Sequence, residues 1–255
     1  MGTAAMTTTE QVRPTPVRVA DDHMGRLMFS LRLIADLQLK TIWQFLAPQF
    51  RTMKGDLLDV GCGEMPFRAF LPEAVRYTGI DVPQAGAFSM AGGADVHEFD
   101  GRTIPFPDAS FDHVLCTEVL EHAEDPEMLV AEMHRVLRPG GALIATIPFS
   151  ARVHYAPYDF QRFTRFGLQR LFADFEQPRI DERGDDIAVI ANKLIVLCAR
   201  LVRPSRWLPV TLPGAILVGV VASFFLCLAH LSMMLGWGST DDPLGYAVIA
   251  TRSIT

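Results

Sequence analysis

The sequence predicts an α/β fold in which helices cross over between the strands of a parallel sheet. The prediction rests first on four short apolar runs typical of buried strands, at residues 56–60, 77–81, 111–116 and 142–147. It rests second on stretches of helical period that lie before and between these runs. A chain that alternates strands with helices builds a parallel sheet covered by crossover helices.

The predicted helices are placed by period and by end signals. Within residues 22–50, apolar side chains recur at three- and four-residue spacing, which predicts an amphipathic helix broken once. The clearest helix lies between the last two strands, where Asp125 can cap it and Pro126 takes its first position. Pro139-Gly140-Gly141 is typical of its end. Thr164 is placed to cap a further helix.

Composition and charge limit the function classes. The chain has 255 residues, a formal charge of −6, 49% hydrophobic residues and a mean hydropathy of +0.21. A dedicated nucleic-acid binder carries a basic surplus, so no nucleic-acid partner is expected. The high apolar share indicates that an unusually hydrophobic segment exists somewhere in the chain.

The cysteines and the N-terminus add little chemistry. Four cysteines lie far apart without a C-x-x-C pair, so we expect no metal site, no disulfide framework and a reducing cytosol. Residues 1–20 lack the charged-then-apolar pattern of a signal peptide. Their Thr-, Ala- and Pro-rich composition predicts a disordered leader.

A glycine loop follows the first predicted strand. Asp59 precedes Gly61 and Gly63, and glycines at such a turn let the backbone approach a ligand closely. A dinucleotide-binding loop would place a third glycine where this chain has Pro66. The loop therefore disfavours a nicotinamide dinucleotide as ligand.

Further polar residues follow the other strands. Asp81 ends the second strand and can accept both ribose hydroxyl hydrogens of a nucleoside. Asp100-Gly101 follows the presumed third strand, and Thr117-Glu118 ends the fourth. Since the carboxyl ends of parallel strands meet at one edge of the sheet, these residues are expected to surround one ligand.

With these motifs, the chain resembles the class I S-adenosylmethionine-dependent methyltransferases of the small-molecule type, over residues 56–175 and a final strand at 245–251. The resemblance implies a Rossmann-like, doubly wound, seven-stranded sheet with an antiparallel last strand and S-adenosylmethionine as cofactor. It implies that the glycine loop surrounds the methionine moiety and that Asp81 binds the ribose. It also implies that Asp100 faces the adenine and that Glu118 lines the sulfonium side. The residues expected to bind the cofactor are Asp59, Gly61, Cys62, Gly63, Asp81, Val82, Asp100, Gly101, Thr117 and Glu118. Met65 departs from the family, which often has a third glycine there.

The loop after the fifth strand is the candidate acceptor-binding segment, because the resemblance places it over the transferable methyl group. His154 can take a proton from an acceptor hydroxyl. Asp159 and Arg162 complete the predicted catalytic set, or pair with each other to hold the loop. Glu121 and His122 are interpreted as helix-start and packing residues rather than catalysts.

The strongest anomaly in composition lies near the C-terminus. Residues 207–240 contain no Asp, Glu, Lys or Arg, and a membrane span needs about 20 apolar residues. Just before them, residues 187–202 are apolar except for a few polar side chains that include Lys193 and Arg200. By the resemblance, this stretch is a helical insertion between the last two strands. We expect a monotopic membrane hairpin, and the alternatives are a buried core helix or a homodimer interface.

The predicted organisation is a leader at 1–20, a methyltransferase domain at 21–186 and 243–255, and the apolar insertion at 187–242. The predicted function is methyl transfer to a lipid-linked, glycan or amphipathic small-molecule acceptor at the cytosolic membrane face, at a hydroxyl. One alternative is a soluble, homo-oligomeric methyltransferase whose apolar tail forms a dimer. The other is a non-catalytic, cofactor-binding module that anchors a partner at the membrane.

Overall fold

The computed structural model describes residues 15–88, 96–204 and 206–254. Seven strands and six α-helices lie within them. The strands are β1 (Gly55–Val60), β2 (Val75–Asp81), β3 (Val96–Glu98), β4 (Phe111–Thr117), β5 (Leu137–Pro148), β6 (Glu176–Arg183) and β7 (Gly245–Thr251). The helices are α1 (His23–Ala35), α2 (Leu37–Phe50), α3 (Pro126–Val136), α4 (Arg165–Leu171), α5 (Asp186–Leu201) and α6 (Leu208–Leu235).

All seven strands form one sheet in the order β3-β2-β1-β4-β5-β7-β6. Strands β1 to β5 pair in parallel, and β7 pairs antiparallel with both β5 and β6. The chain reverses its winding direction between β1 and β4, which is where ligands bind in doubly wound sheets. The predicted fold class, with its antiparallel last strand, is confirmed.

The sheet buries a separate core on each face, because successive side chains of a strand point to opposite sides. Val114 and Cys116 of β4 pack with α3 and α4, whereas Leu115 between them packs with α2. Both clusters exclude water from the strands, so the sheet provides a rigid support for the loops at its edge.

The predicted helix caps are confirmed. The Asp125 carboxylate accepts a hydrogen bond from the N–H of Met128 at 3.0 Å, and the Thr164 hydroxyl accepts one from Gly167 at 3.2 Å. The predicted break in the first helical region falls at Asp36. The Asp36 N–H donates the last hydrogen bond of α1, to the Arg32 carbonyl. Its carboxylate caps α2 by accepting a hydrogen bond from the Leu39 N–H at 3.1 Å.

Helices α5 and α6 pack against each other as a hairpin between β6 and β7. Asp185 fixes its base: one carboxylate oxygen caps α5, and the other accepts a hydrogen bond from the Ser232 hydroxyl of α6. Within the described residues, α6 is the one helix long and apolar enough to cross a membrane, and only 17% of its most apolar window is buried.

Two local expectations are corrected. Strand β5 begins at Leu137, so Pro139-Gly140-Gly141 lies inside a strand and not at a helix end. Gly140 has φ +77°, and the pairing of β5 with β4 shifts register at this point. Glu121 and His122 lie in a turn before α3, so they do not start a helix.

Of the predicted leader, residues 1–14 lie outside the described part of the chain. Residues 15–20 run without helix or strand, and Val17 and Val19 pack against the cluster beneath α2. Arg18 forms an ion pair with Glu64 at 2.9 Å, beside the glycine loop.

Candidate functional site

A cavity of about 780 Å³ opens at the carboxyl edge of the sheet, a volume within the usual range for small-molecule sites. Nine of the ten residues predicted to bind the cofactor line it, and Asp59 does not. Of the predicted catalytic residues, His154 lines the cavity, whereas Asp159 and Arg162 do not. The side of the cavity towards the helical hairpin is formed by Asn192, Ile195, Val196 and Ala199 of α5.

The loop after β1 folds tightly against the sheet. The N–H groups of Gly61 and Cys62 both donate to the Ile80 carbonyl, at 2.8 and 3.1 Å. Gly61 has φ +68°, and a Cβ placed on it would lie 2.5 Å from Val119. This position therefore needs glycine for both its backbone conformation and its close contact.

Asp81 joins two of the loops. Its carboxylate accepts hydrogen bonds from the N–H of Gly63 at 2.8 Å and of Val82 at 2.7 Å. Burial raises the pKa of Asp81, although these two donors oppose the shift. Each oxygen keeps a free lone pair beside the cavity, which suits it to accept from ligand hydroxyls.

Asp59 lies beneath the glycine loop. It is buried, and one of its oxygens accepts a hydrogen bond from the Tyr77 hydroxyl at 2.7 Å. The other oxygen has no hydrogen-bond partner among the described residues. Burial raises the pKa of Asp59 to about 7. Burial, together with Asp59 and Asp81, raises the pKa of the Cys62 thiol, so Cys62 is not an activated nucleophile.

Asp100 stabilises the loop after β3. One carboxylate oxygen accepts from the N–H groups of Arg102 at 2.8 Å and Thr103 at 2.7 Å, and these bonds lower the pKa of Asp100. The loop carries Gly101 to the cavity wall beside Val82. Asp100 thus positions this part of the wall.

Glu118 is held by an arginine that the sequence did not single out. The Arg183 guanidinium, at the end of β6, donates to Glu118 Oε1 at 2.7 Å and to the Tyr246 carbonyl at 3.0 Å. Arg183 is only 3% exposed, and burial lowers its pKa. Strand β6 carries several charged residues and only Ile180 and Arg183 of it are buried, so no local pattern distinguishes Arg183 in the sequence.

In the acceptor loop, Asp159 and Arg162 pair with each other, which is the structural alternative that the sequence left open. The Arg162 guanidinium binds both oxygens of Asp159, at 2.5 and 2.8 Å. Asp159 also accepts from the N–H of His154 at 2.9 Å. Burial acts to raise the pKa of Asp159, but Arg162 and this N–H lower it overall. Asp159 and Arg162 therefore hold His154 at the cavity wall.

Glu121 and His122 are the residues whose role sequence reasoning underestimated. Glu121 is fully buried, and neither of its oxygens has a hydrogen-bond partner among the described residues. Burial raises its pKa, and burial lowers the pKa of His122 to about 4. His122 lines the cavity, and its ring lies edge-on to that of His154 with centroids 4.8 Å apart. The sequence did contain a signal for this role, because a glutamate and a histidine stand next to each other just after β4.

Comparisons with known proteins place this site in context. Residues 58–145 match the family model described as a methyltransferase domain. An uncharacterized methyltransferase of Mycobacterium avium is 43% identical over 95 residues, covering 34% of this chain and 37% of the relative. A 27-O-demethylrifamycin SV methyltransferase of Amycolatopsis mediterranei is 38% identical over 110 residues, covering 38% and 40%. The chain thus spans less than half the length of the curated relatives it matches.

The fold has counterparts among solved structures. A SAM-dependent methyltransferase from Archaeoglobus fulgidus superposes with a TM-score of 0.53 over 91% of this chain and all of that one. Its sequence identity is 15%, so the likeness concerns the fold alone.

Proposed function

We propose, from the match of residues 58–145 to a methyltransferase domain, that this chain is an S-adenosylmethionine-dependent methyltransferase that transfers a methyl group to an amphipathic acceptor at a membrane surface. One observation carries the proposal: polar residues line the cavity at the sheet edge, whereas Ile195, Val196 and Ala199 line it on the side of α5, the first helix of the hairpin. An acceptor with a polar head and an apolar body matches that division.

The residues present fit S-adenosylmethionine. A carboxylate with free lone pairs stands at the end of β2, where a ribose would need an acceptor. Gly61 and Gly63 line the cavity without side chains, and Gly61 has no room for a Cβ because Val119 occupies that position. When bound, the cofactor supplies a sulfonium whose methyl group is already activated. We assign Asp81 to the ribose, the loop of Asp100 and Gly101 to the adenine, and the glycine loop to the methionine moiety.

The protein's part in the reaction is to align the acceptor and exclude water. Thr117 and Glu118 line the wall where the sulfonium would lie, and Arg183 holds Glu118 there. His154 faces the cavity and is fixed by Asp159, so it can receive a proton from an acceptor hydroxyl. The similarity to a 27-O-demethylrifamycin SV methyltransferase supports a hydroxyl acceptor.

The outward face of α6 supports contact with a bilayer. Ile216, Leu217, Val220 and Phe224 are each more than 60% exposed on one helix. Apolar side chains of α1 are also half exposed, and the His230 ring of α6 contacts the Ile34 carbonyl at the end of α1. Apolar patches of this extent on a soluble monomer mark an interaction surface.

The charge of the hairpin also supports a membrane as its partner. Residues 187–240 contain no Asp or Glu, and their charged residues are Lys193, Arg200, Arg203 and Arg206. The last two lie in the turn between α5 and α6, followed by Trp207. Basic and tryptophan side chains at the tip of an apolar hairpin suit the headgroups of an anionic membrane.

Topology restricts how the hairpin meets the membrane. Strands β6 and β7 flank the hairpin and pair with each other in the one sheet. The chain must therefore enter and leave the hairpin on the same side of a bilayer. A single crossing is excluded by this pairing, and we propose a monotopic hairpin.

The test combines binding and transfer. Purified protein is floated with neutral vesicles and with vesicles containing phosphatidylglycerol, and is then incubated with methyl-labelled S-adenosylmethionine and either a lipid extract or an aqueous extract of source cells. We expect flotation with the anionic vesicles and label in the lipid extract. A protein that stays soluble as a dimer and labels only aqueous molecules would favour the soluble methyltransferase. Cofactor binding without label in either extract would favour the anchoring module.

A further inference from the structure

Three side chains converge beside the acceptor loop. Glu121 Oε1 lies 3.5 Å from His122 Nε2 and 3.8 Å from His154 Nε2. These ligand atoms all lie within 4.8 Å of one another. Glu121 comes from the turn after β4, and His154 from the loop after β5, so two neighbouring strand ends of the sheet bring them together.

The outer nitrogens of both rings are already engaged. His122 Nδ1 lies 2.7 Å from the Tyr158 carbonyl, and His154 Nδ1 lies 3.1 Å from the Arg152 carbonyl. Because a carbonyl oxygen only accepts, each Nδ1 must carry a hydrogen, which in the neutral form of the ring leaves Nε2 without one. Each Nε2 then presents a lone pair, and both lone pairs face Glu121.

Among the described residues, no cationic side chain forms a hydrogen bond with Glu121. A carboxylate and two imidazole lone pairs meet, and neither Glu121 oxygen nor His122 Nε2 has a hydrogen-bond partner among the described residues. The nearby Arg162 guanidinium binds Asp159 through both of its terminal nitrogens. An ionised carboxylate buried without a partner is strongly unfavourable, and a bound cation would supply that partner.

We propose that Glu121, His122 and His154 form a binding site for a divalent metal ion of the zinc type. Two imidazoles and one carboxylate are the protein ligands of many catalytic zinc sites. Ligands at about 2.0–2.1 Å from a tetrahedral ion lie about 3.3 Å apart, so spacings of up to 4.8 Å must shorten by up to about 1.5 Å when the ion binds. The proposed site differs from the sequence-based expectation of no metal site, because that expectation was based on the spacing of the cysteines alone.

The surroundings have the features of a metal site's outer shell. Ligating histidines usually donate the other ring N–H to a carbonyl or a carboxylate, which fixes the tautomer. His122 does so to Tyr158, and His154 faces both Arg152 and the Asp159 carboxylate, 3.3 Å away. Asp159 is itself fixed by Arg162.

The fourth position of the site opens into the cavity, because both histidines line the cavity wall. Resting on the proposed function, we assign this position to the acceptor's hydroxyl oxygen. Coordination acidifies the hydroxyl, and its proton leaves to water. The new O–C bond then forms as the C–S bond of the cofactor breaks, and S-adenosylhomocysteine leaves. With the metal ion bound, His154 is a ligand, so the proton-acceptor role proposed for it above applies only to the metal-free site.

The test measures zinc alone. Full-length protein freed of metal by a chelator is titrated with Zn²⁺ against a chromophoric competitor, beside the variants Glu121→Gln and His154→Gln. His97→Gln is the matched control, because it removes a histidine from β3. We expect one zinc per chain in wild type and control. Each ligand variant should lose more than the roughly 10–100-fold that an outer-shell substitution costs, and Asp159→Asn should fall within that range.

Cofactor binding by the same samples separates the two claims. The variants should keep their circular dichroism spectra and still bind S-adenosylmethionine, since Glu121 and His154 are outside the predicted cofactor set. Zinc binding that is weak, or equal in wild type and ligand variants, would overturn the metal site and indicate a protonated Glu121. Tight zinc binding by a protein that binds no S-adenosylmethionine would leave the metal site standing and remove the proposed function.

Discussion

At the scale of single residues, the site is built from polar groups that burial would penalise elsewhere. Asp59 has one hydrogen bond in a buried position, and Glu121 has none among the described residues. Asp81 is also largely buried, but two backbone donors hold its carboxylate at the cavity. Such perturbed groups gathered at one sheet edge are typical of functional sites.

Asp59 gives a prediction on pH. Its pKa of about 7 lies above the value of an unfolded aspartate, so the folded state holds the proton more tightly. Its contribution to stability is therefore full below about pH 4 and is lost as the pH rises towards 7 and beyond. Asp59→Asn should gain stability over wild type by on the order of 2–3 kcal/mol more at pH 8 than at pH 5.

Urea unfolding of both proteins at the two pH values measures this difference, and the comparison cancels every other titrating group. The amide oxygen of the substituted side chain can still accept from the Tyr77 hydroxyl, so that hydrogen bond is matched. A stability difference that is the same at pH 5 and pH 8 would show that Asp59 ionises normally.

Gly61 gives a prediction on the cofactor loop. Alanine in the left-handed region costs about 1–2 kcal/mol, and at Gly61 it also collides with Val119. Gly140→Ala is the matched control, because Gly140 has φ +77° but its nearest contact is Ile254 at 3.5 Å. We expect thermal unfolding to show a larger loss for Gly61→Ala, and calorimetry to show S-adenosylmethionine affinity reduced about tenfold or more only in that variant. Equal effects of the two substitutions would argue against a close approach at Gly61.

At the scale of elements, residues at the ends of the strands hold the parts of the site together. Arg183 is the last residue of β6. Its guanidinium donates hydrogen bonds to the Tyr246 carbonyl of β7, to the Thr41 hydroxyl of α2, and to Glu118 in the loop after β4. One buried guanidinium thus links elements that lie far apart in the sequence. The α5–α6 hairpin begins directly beyond it.

Arg183→Met should therefore destabilise the protein by about 1–3 kcal/mol, because it leaves the buried Tyr246 carbonyl and the Thr41 hydroxyl without their donor. Glu118→Gln should cost less, because Glu118 is partly exposed and its amide oxygen still accepts from Arg183. Chemical denaturation measures both. A loss below about 1 kcal/mol for Arg183→Met would show that this arginine does not hold the elements together.

The outward face of α6 gives a prediction on membrane binding. Phe224→Ser removes a 63% exposed aromatic side chain from the hairpin, and Phe166→Ser removes a 74% exposed one from α4 as the control. Burying such a side chain in lipid contributes about 1.5–3 kcal/mol, so Phe224→Ser should weaken vesicle binding about tenfold or more. Phe166→Ser should bind as wild type does. Vesicle flotation across a lipid titration measures both, and equal behaviour of the two variants would contradict the assigned membrane face.

At the scale of the whole molecule, charge and hydrophobicity are divided between two parts. The chain carries −6 overall, yet the hairpin residues 187–240 carry only basic charges. The methyltransferase fold therefore holds the acidic surplus, and the hairpin presents a basic, apolar surface. The cavity lies between these two parts, with walls from both.

Much of this organisation followed from the sequence. Period and cap residues such as Asp125 and Thr164 predicted the elements, since those signals are local. The start of β5 was missed because Gly140 and Pro139 usually end elements, whereas here they form an irregularity in a strand paired with β4. The Arg183–Glu118 pair and the convergence of Glu121 with His154 were missed because they join residues more than 30 positions apart.

The most direct test of the central claim is calorimetric titration of the full-length protein with S-adenosylmethionine and with NAD, repeated on Asp81→Asn. We expect saturable binding of S-adenosylmethionine alone, weakened in the variant because an amide cannot accept from both the Gly63 and Val82 N–H groups. Binding of NAD, or no binding of S-adenosylmethionine by folded protein, would contradict the account.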